Sequence, residues 1–220
     1  MEKLHSITRM IFEFDEFEKS SNRTLFNNGY DYVIGCDEAG RGPGAGDVYA
    51  AAVCFKNKNP FKILDGLNDS KKLSLRTKEK LYPLIKENSV FSITSVNVET
   101  IEKINILNAS LFAMEQAVNK VASVLCTDNI LILVDGNKKI RNLRYPQKTI
   151  VKGDSKSASI AAASVLAKVS RDNYMTELDK KFPFYNFKKN KGYLTKEHID
   201  AIKKYGIVEI HRKSFLKNFL

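Results

Sequence analysis

Four acidic residues lie where α/β proteins place their reactive groups, at the ends of predicted strands and at a strand-to-helix turn. Asp37 and Glu38 end the first strand, Asp135 ends a strongly apolar strand, and Asp154 lies at the turn before a long helix. Because buried like charges repel one another unless a cation neutralises them, and because all-oxygen sites prefer Mg²⁺ or Mn²⁺ to zinc, we expect a divalent metal site. Two such ions about 4 Å apart can activate water and stabilise the leaving oxygen of a phosphodiester. The pattern therefore predicts phosphoryl transfer to water.

Each of these acids also has an ordinary structural explanation. For Asp154 taken alone, a helix cap is the favoured interpretation, and for Asp135 a turn residue is as good an interpretation as a metal ligand. Spacing along the chain cannot show that the four carboxylates converge. The prediction of a metal site therefore depends on the elements that carry them.

Strands and helices alternate along the chain in the manner of an α/β fold. Residues 32–36 and 48–55 are predicted strands, joined as a hairpin by a glycine-dense loop at 40–46. The segment 107–125 has an apolar helical stripe, and 130–134 is typical of a strand buried on both faces. Further predicted elements are a helix around 77–85, a strand at 90–98, a strand ending at Val151, an alanine-rich helix capped by Asp154 and Ser155 that reaches at least Tyr174, and a helix at about 195–205.

The length and composition fit one catalytic domain. The chain has 220 residues, 43% of them hydrophobic, which is enough for one sizeable core. We expect residues 1–29 to form a helical or partly ordered lead-in. Residues 30–220 would then form the catalytic domain, with a C-terminal helical extension from about residue 175.

Charge and cysteine content indicate a nucleic-acid partner and a reducing compartment. The net charge is +11, which commonly attracts a polyanion, although genome composition alone can produce such a balance. Cys36, Cys54 and Cys126 are odd in number and far apart, which argues against disulfides. The sequence has no apolar run of about 18 residues and no N-terminal signal profile, so we expect a cytoplasmic protein with no membrane contact.

Seven segments of the chain resemble, in order, the pattern of the ribonuclease HII family. The most specific is an Asp37-Glu38 pair that runs through Ala39 into Gly40-Arg41-Gly42. The related ribonuclease HIII type generally lacks the arginine and carries a larger N-terminal domain, so Arg41 and the short lead-in favour HII. The segments are 35–43, 67–74, 105–109, 134–137, 151–155, 164–172 and 211–215, which together span roughly residues 30–215.

This resemblance implies a fold, a reaction and a ligand set. The fold would be α/β of the ribonuclease H-like type, a mixed β-sheet flanked by helices with a C-terminal helical extension. The enzyme would hydrolyse the RNA strand of RNA–DNA hybrids and nick duplex DNA on the 5′ side of single embedded ribonucleotides, leaving 3′-hydroxyl and 5′-phosphate ends, and we expect it to act as a monomer. The implied ligands of two Mg²⁺ or Mn²⁺ ions are Asp37, Glu38, Asp135 and Asp154.

We hypothesise that one ion binds mainly through Asp37 and Asp135, and a second near Glu38 and Asp154. Asp172 lies in a matching segment too, but we expect it to form a salt bridge or a helix-surface charge rather than to bind metal.

The resemblance also implies how substrate would be recognised. The Gly40-Arg41-Gly42 turn would read the ribose 2′-hydroxyl through its backbone, since glycines let the chain approach a ligand closely. Tyr193 would stack on the sugar of the next nucleotide. The residues expected to contact phosphate, each with a solvated surface role as the default, are Lys71, Lys72, Lys152, His211, Arg212 and Lys213.

The chain departs from the family pattern at two places near these elements. Gly44 and Asp47 stand where the pattern usually has leucine and proline, which could loosen the loop or add a fifth acid near the metal. Leu194 stands where a glycine is common, so the backbone around Tyr193 could differ.

Three alternatives remain open. A structure-specific DNA nuclease could use a similar acidic cluster, and cleavage of an all-DNA duplex would identify it. A non-catalytic nucleic-acid-binding protein would show no divalent-ion binding at the acids. Residues 214–220 could make a weak contact with a sliding clamp, although packing on the protein body is the favoured interpretation.

Overall fold

A five-stranded mixed sheet lies at the centre of the computed structural model, which describes residues 30–56, 73–217 and 219. The strand order is β3-β2-β1-β4-β5, so β1 and β4 occupy interior positions. The lead-in predicted at residues 1–29 lies outside the described residues. The strands are β1 (Tyr32–Ala39), β2 (Val48–Phe55), β3 (Ser89–Val96), β4 (Ile130–Asp135) and β5 (Gln147–Ile150).

The pairing of the strands combines an antiparallel hairpin with a parallel half. Strand β2 is antiparallel to both β1 and β3, whereas β4 is parallel to both β1 and β5. The connection from β1 to β4 includes helices, whereas residues 136–146 join β4 to β5 without one. The mixed sheet flanked by helices confirms the predicted fold class.

Helices cover both faces of the sheet and continue beyond it. One face packs against α3 (Ile106–Leu125), and the opposite face packs against α1 (Leu75–Asn88) and α4 (Ala158–Lys181). Because side chains alternate along a strand, Ala50 and Ala52 of β2 face α3, whereas Ala51 and Val53 face α4. The helices are α1 (Leu75–Asn88), α2 (Val98–Ile104), α3 (Ile106–Leu125), α4 (Ala158–Lys181), α5 (Phe187–Asn190), α6 (Lys196–Tyr205) and α7 (Lys213–Leu216), with 3-10 turns at Gly153–Ser155 and Pro183–Tyr185.

The alanine-rich helix α4 lies very close to the sheet. A Cβ atom on Gly35 of β1 would overlap the backbone of Ser159 and Ile160. Only glycine allows this approach, and the small side chains of α4 allow it along the helix. The N-cap of α4 is Ser157, whose Oγ accepts the Ile160 N–H, so the prediction that Asp154 and Ser155 cap this helix is wrong.

The C-terminal elements form a separate apolar cluster at the end of α4. Met175 of α4, Phe187 of α5, Ile202 of α6 and Leu216 of α7 meet there, together with Ala45 from the loop between β1 and β2. Full burial of Leu216 confirms that the described part of the C-terminal segment packs on the protein body. This cluster is what connects the C-terminal helices to the glycine-dense loop.

Two predictions from the composition concern disulfides and membrane-spanning helices. Cys36, Cys54 and Cys126 are all free thiols, as expected. Within residues 30–56, 73–217 and 219, no helix is both long enough and apolar enough to span a membrane.

Candidate active site

Asp37 and Asp135 stand side by side at one edge of the sheet. In the parallel register of β1 and β4, Cys36 pairs with Val134, so the two aspartates occupy the next position on neighbouring strands. Neighbouring strands lie about 4.8 Å apart, which brings the two carboxylates into mutual range. Asp37 is buried and Asp135 half-buried, so water screens their charges poorly.

The electrostatics of this edge disfavour ionised carboxylates in the absence of a counter-charge. Burial raises the pKa of Asp37 well above its usual range, and repulsion from Glu38 and Asp135 raises it further. Burial also raises the pKa of Glu38, although Arg41 opposes that shift. The Arg41 guanidinium lies 3.3 Å from Glu38 Oε1. A cation bound at this edge would relieve both the desolvation and the repulsion.

Asp154 reaches the same edge through a tight turn. Gly153 N donates a 2.6 Å hydrogen bond to Asp135 Oδ1, which ties the 3-10 turn to the end of β4. Asp154, the next residue, is buried within that turn. The bond spans 18 positions of sequence, and the hydrophobic pattern gives no sign of it.

The donor chemistry at this edge fits a hard divalent cation. The groups brought together are the carboxylates of Asp37, Glu38 and Asp135, which burial and mutual repulsion disfavour in the ionised form, and oxygen ligands of this kind are those that Mg²⁺ and Mn²⁺ prefer. In the part of the chain that the structure describes, no group of three or more His, Cys, Asp or Glu side chains is arranged so that it could hold an ion as it stands. The carboxylates therefore share one electrostatic field without forming a closed ligand cage, and the four-ligand set stays a prediction.

The Gly40-Arg41-Gly42 turn lies directly against Tyr193. A Cβ on Gly42 would be 3.4 Å from Tyr193 Cε1, so the ring stands at contact distance from this turn. Tyr193 is 49% exposed and Arg41 is exposed, so both can reach a ligand. Gly40 has a φ of +99° and leaves no room for a side chain beside Arg171. The two elements expected to read the sugar thus form one surface next to Glu38.

Two buried arginines hold this loop from behind. Arg171 of α4 donates hydrogen bonds to the carbonyl oxygens of Ala45 (3.1 Å), Asp47 (3.1 Å) and Lys191 (2.9 Å). The sequence prediction missed Arg171, although it lies beside Asp172 in a segment of the family pattern. The sequence carries no clear signal of its burial, because Lys168, Ser170 and Asp172 are polar neighbours on the same helix.

Arg212 is the second of these arginines. It is fully buried and donates to the carbonyl oxygens of Arg41, Pro43 and Gly46 at 2.6–3.2 Å. His211 is buried as well, and its backbone forms a β-bridge with Ala45. The prediction that His211 and Arg212 contact phosphate is therefore wrong: both side chains lie inside the protein and support the loop.

The remaining predictions concern the other basic residues expected to contact phosphate, and Asp172. Lys152 and Lys213 are exposed, so a phosphate could reach either one. Lys71 and Lys72 lie outside the described residues. Asp172 accepts a 2.6 Å hydrogen bond from Lys168, which confirms its expected role as a salt-bridge partner on the helix.

The two departures from the family pattern have structural partners. Asp47 is hydrogen-bonded to Tyr174 and interacts electrostatically with Arg212 and Arg171. Its pKa is raised by burial. Leu194 packs over Gly44, where a Cβ would come within 2.6 Å of Leu194 Cδ2.

The chain is similar in sequence to known proteins over most of its length. A family model described as Ribonuclease HII matches residues 34–218. The ribonuclease HII of Caldicellulosiruptor bescii is 51% identical over 197 residues, which is 89% of this chain and 92% of that protein. The ribonuclease HII of Clostridioides difficile is 48% identical over 100% of this chain and 79% of its own length.

Solved structures share the fold at lower identity. The ribonuclease H2 of Pyrococcus horikoshii OT3 superposes with a TM-score of 0.69 at 24% identity, covering 86% of this chain and 96% of that one. The sequence match and the common fold lead to one conclusion. The chain belongs to the ribonuclease HII family and is a ribonuclease H, a nuclease that hydrolyses phosphodiester bonds.

Proposed function

We propose that this ribonuclease H nicks duplex DNA on the 5′ side of single embedded ribonucleotides, besides cutting the RNA strand of RNA–DNA hybrids. The products would carry 3′-hydroxyl and 5′-phosphate ends, and the physiological role would be removal of ribonucleotides from DNA. The observation that carries this proposal is the close approach of Gly42 to the Tyr193 ring, which would touch a Cβ at position 42, beside the Asp37–Glu38 end of β1. A sugar-reading surface there adjoins the acids that would act on the neighbouring phosphodiester.

The reading of a ribose follows from the backbone at this turn. Gly42 is exposed and has no Cβ, so a sugar can approach the main chain closely. Backbone N–H and C=O groups can donate to and accept from a 2′-hydroxyl, the group that distinguishes RNA from DNA. Tyr193 offers an aromatic face for the adjoining sugar, a type of contact worth about 1–3 kcal/mol.

The acids would hold the metal that the reaction needs. Asp37, Glu38, Asp135 and Asp154 are the residues that would hold Mg²⁺ or Mn²⁺, which supplies an activated water and stabilisation of the departing 3′ oxygen when bound. Burial of Asp37 and Asp154 keeps bulk water away from this edge, which strengthens electrostatic interactions there. Arg41 holds Glu38 from the side of the sugar-reading turn.

The deciding experiment uses a duplex with one ribonucleotide and a matched all-DNA duplex, each with Mg²⁺ or Mn²⁺. We expect cleavage of the first and not of the second. Asp37→Asn should lower kcat at least about a hundredfold, since it removes a charge that only a catalytic metal site needs. Asp128→Asn is the matched control, because that side chain is 78% exposed and pairs only at the surface with Arg144. Equal cutting of all-DNA duplex, or full activity of Asp37→Asn, would contradict the proposal.

A clamp contact through the C-terminus is a secondary part of the proposal. The ribonuclease HII of Archaeoglobus fulgidus, which shares the fold with a TM-score of 0.67 at 22% identity, was solved in complex with PCNA. Here Leu216 is buried and Phe219 is 40% exposed, so Phe219 would carry such a contact. Binding of a purified sliding clamp by the parent protein, lost in Phe219→Ala, is the expected result.

A further inference from the structure

Two histidines of the C-terminal elements face each other inside the protein. His198 of α6 and His211, just before α7, have their Nε2 atoms 3.1 Å apart. Both side chains are buried, and the rings of Tyr185 and Phe187 pack against them. The proposed reaction uses neither imidazole, so the pair calls for its own explanation.

The neighbours of the pair determine where each proton lies. A neutral imidazole carries one N–H, and its other nitrogen can only accept. Val208 N donates to His211 Nδ1 at 2.9 Å, whereas the Val208 carbonyl oxygen lies 3.3 Å from the same nitrogen, so the shorter bond makes Nδ1 the acceptor and puts the proton of His211 on Nε2. His198 Nδ1 lies 2.9 Å from the carbonyl oxygen of Tyr193, which can only accept, so the proton of His198 is on Nδ1. His211 Nε2–H therefore donates to His198 Nε2.

The result is a continuous hydrogen-bonded chain from Val208 through both rings to Tyr193. Burial lowers the pKa of each histidine, that of His211 to about 4, so both rings are neutral near pH 7. A second proton on either ring would point two N–H groups at each other or at another donor. Each polar atom of the two rings has its partner in this single arrangement.

Both ends of the chain connect to the sugar-reading surface. One end fixes the Tyr193 backbone, and the residue before it, Gly192, accepts a 2.9 Å hydrogen bond from Gly44 N. At the other end, the His211 backbone forms the bridge with Ala45, in the loop that carries Gly42. The imidazole pair thus spans from the loop to the tyrosine.

We propose that His198 and His211 are positioning residues, which fix the Tyr193 ring against the Gly42 turn so that both meet one ribonucleotide junction together. This inference rests on the proposed function, because it assigns the sugar-reading role to Tyr193 and Gly42. Neither histidine touches substrate. They act through the Tyr193 backbone.

The proton positions are tested on the unmodified protein. ¹⁵N NMR at pH 7 should show His198 protonated on Nδ1 and His211 protonated on Nε2, with a scalar coupling across the Nε2 pair. The opposite tautomer of either ring, or a charged ring at that pH, would overturn the proposal. Because no substitution and no substrate are involved, this result is independent of whether the protein cuts ribonucleotides.

Two matched variants test the role in recognition. His198→Asn keeps a donor for the Tyr193 carbonyl, whereas His198→Gln keeps an acceptor for His211 and loses that donor. We expect His198→Gln to raise KM for a single-ribonucleotide duplex about tenfold with kcat nearly unchanged, as expected for partial loss of one stacking contact, and His198→Asn to stay within about threefold of the parent. A role limited to stability would lower the yield of folded protein without separating the two variants in KM.

A third comparison asks whether the effect passes through Tyr193. In a Tyr193→Ala background, His198→Gln should change KM less than twofold, since the positioned ring is already gone. The same tenfold rise in that background would overturn the proposal. If the parent protein fails to cut the ribonucleotide duplex at all, the proposed function fails, and the NMR result still decides the tautomers.

Discussion

At the scale of single residues, the two departures from the family pattern at Gly44 and Leu194 compensate each other, because a leucine and a glycine have changed places. Position 44 usually carries the leucine and position 194 the glycine, and here the two are reversed. A side chain on Gly44 would occupy the space that the Leu194 side chain now fills. The loop is therefore packed rather than loosened, with the leucine contributed from the opposite side.

This exchange predicts strong coupling between the two positions. Gly44→Leu alone should destabilise the protein by about 1–3 kcal/mol through overpacking, and Leu194→Gly alone by about 2–4 kcal/mol through lost burial and added chain entropy. The double variant should cost less than the sum of the two, by at least about 1 kcal/mol. Urea unfolding of the four proteins measures the cycle. Additive effects would show that the two sites do not share one space.

Single residues also show where sequence reasoning stopped. The acid types and the sugar-reading motif could be predicted, because charge and glycine content stand out in a sequence. The burial of Arg212 could not, since its partners are carbonyl oxygens of a loop near residue 44 and any residue type supplies a carbonyl. An arginine in a basic segment is exposed by default, and long-range contacts alone override that default.

At the scale of elements, the positions of strands and helices followed the hydrophobic pattern closely, and their ends did not. Strand β1 continues to Ala39, so Asp37 and Glu38 lie within the paired strand, opposite Ala51 and Ala50 of β2. The start of α4 differs from the prediction for another reason. Asp154 lies in the 3-10 turn beside Asp135, and Ser157 caps the helix instead.

The corrected cap of α4 gives a direct test. Ser157→Ala should lower the free energy of unfolding by about 1 kcal/mol, since Ile160 N loses its acceptor at the helix start. Ser155→Ala should have an effect under about 0.5 kcal/mol, because that hydroxyl bonds only to the Lys152 carbonyl within the turn. Thermal unfolding of the two variants compares them. A larger effect at Ser155 would restore the original capping prediction.

The loop between β1 and β2 depends on the buried arginines as well as on its glycines. Arg212→Lys keeps the charge but cannot reach the Arg41, Pro43 and Gly46 carbonyls together, because an ammonium lacks the planar fork of five donors. We expect a loss of about 3 kcal/mol or more in stability, measured by urea unfolding, since buried carbonyls would lose their donors.

The matched control is Arg144→Lys, whose side chain is 70% exposed and should change stability by less than about 0.5 kcal/mol. An Arg212→Lys protein as stable as this control would mean that the buried hydrogen bonds contribute little. The loop would then be held mainly by Arg171, by its backbone hydrogen bonds and by the apolar contact through Ala45.

At the scale of the whole molecule, the C-terminal elements and the sheet form one unit around the glycine-dense loop. The C-terminal elements contact this loop through the apolar cluster of Ala45, Met175 and Phe187. The two arginines and the histidine pair connect the same two regions. The sequence predicted the C-terminal helices but did not indicate that they support the glycine-dense loop. The groups that connect the helices to the loop are backbone atoms and buried rings, which a sequence pattern does not reveal.

This arrangement makes the stability of the protein depend on keeping two imidazoles neutral. The groups against the rings are the Tyr193 carbonyl, the Val208 amide and the side chains of Tyr185 and Phe187; they are uncharged in acid, and burial raises the pKa of Tyr185 further. Hydrogen bonds to the Tyr193 and Val208 carbonyl oxygens favour an added proton on His198 and His211, but burial of both rings, and for His211 repulsion from His198, outweigh them and lower both pKa values. In the unfolded chain each histidine titrates near pH 6.5.

The sign of the effect follows from the lowered pKa values. Above about pH 6.5 neither state holds the extra protons, so the stability is fully present. As the pH falls towards about 4, the folded pKa of His211, the unfolded chain binds protons that the folded protein does not bind. The free energy of unfolding then falls by up to about 1.4 kcal/mol per pH unit for each neutral histidine. Urea unfolding between pH 7.5 and 4.5 should show this fall, and it should be shallower in His211→Gln, which can still donate to His198 but no longer titrates. Identical slopes in the two proteins would mean that carboxylates alone govern the acid response, and that the imidazole pair is not what couples the C-terminal helices to the loop.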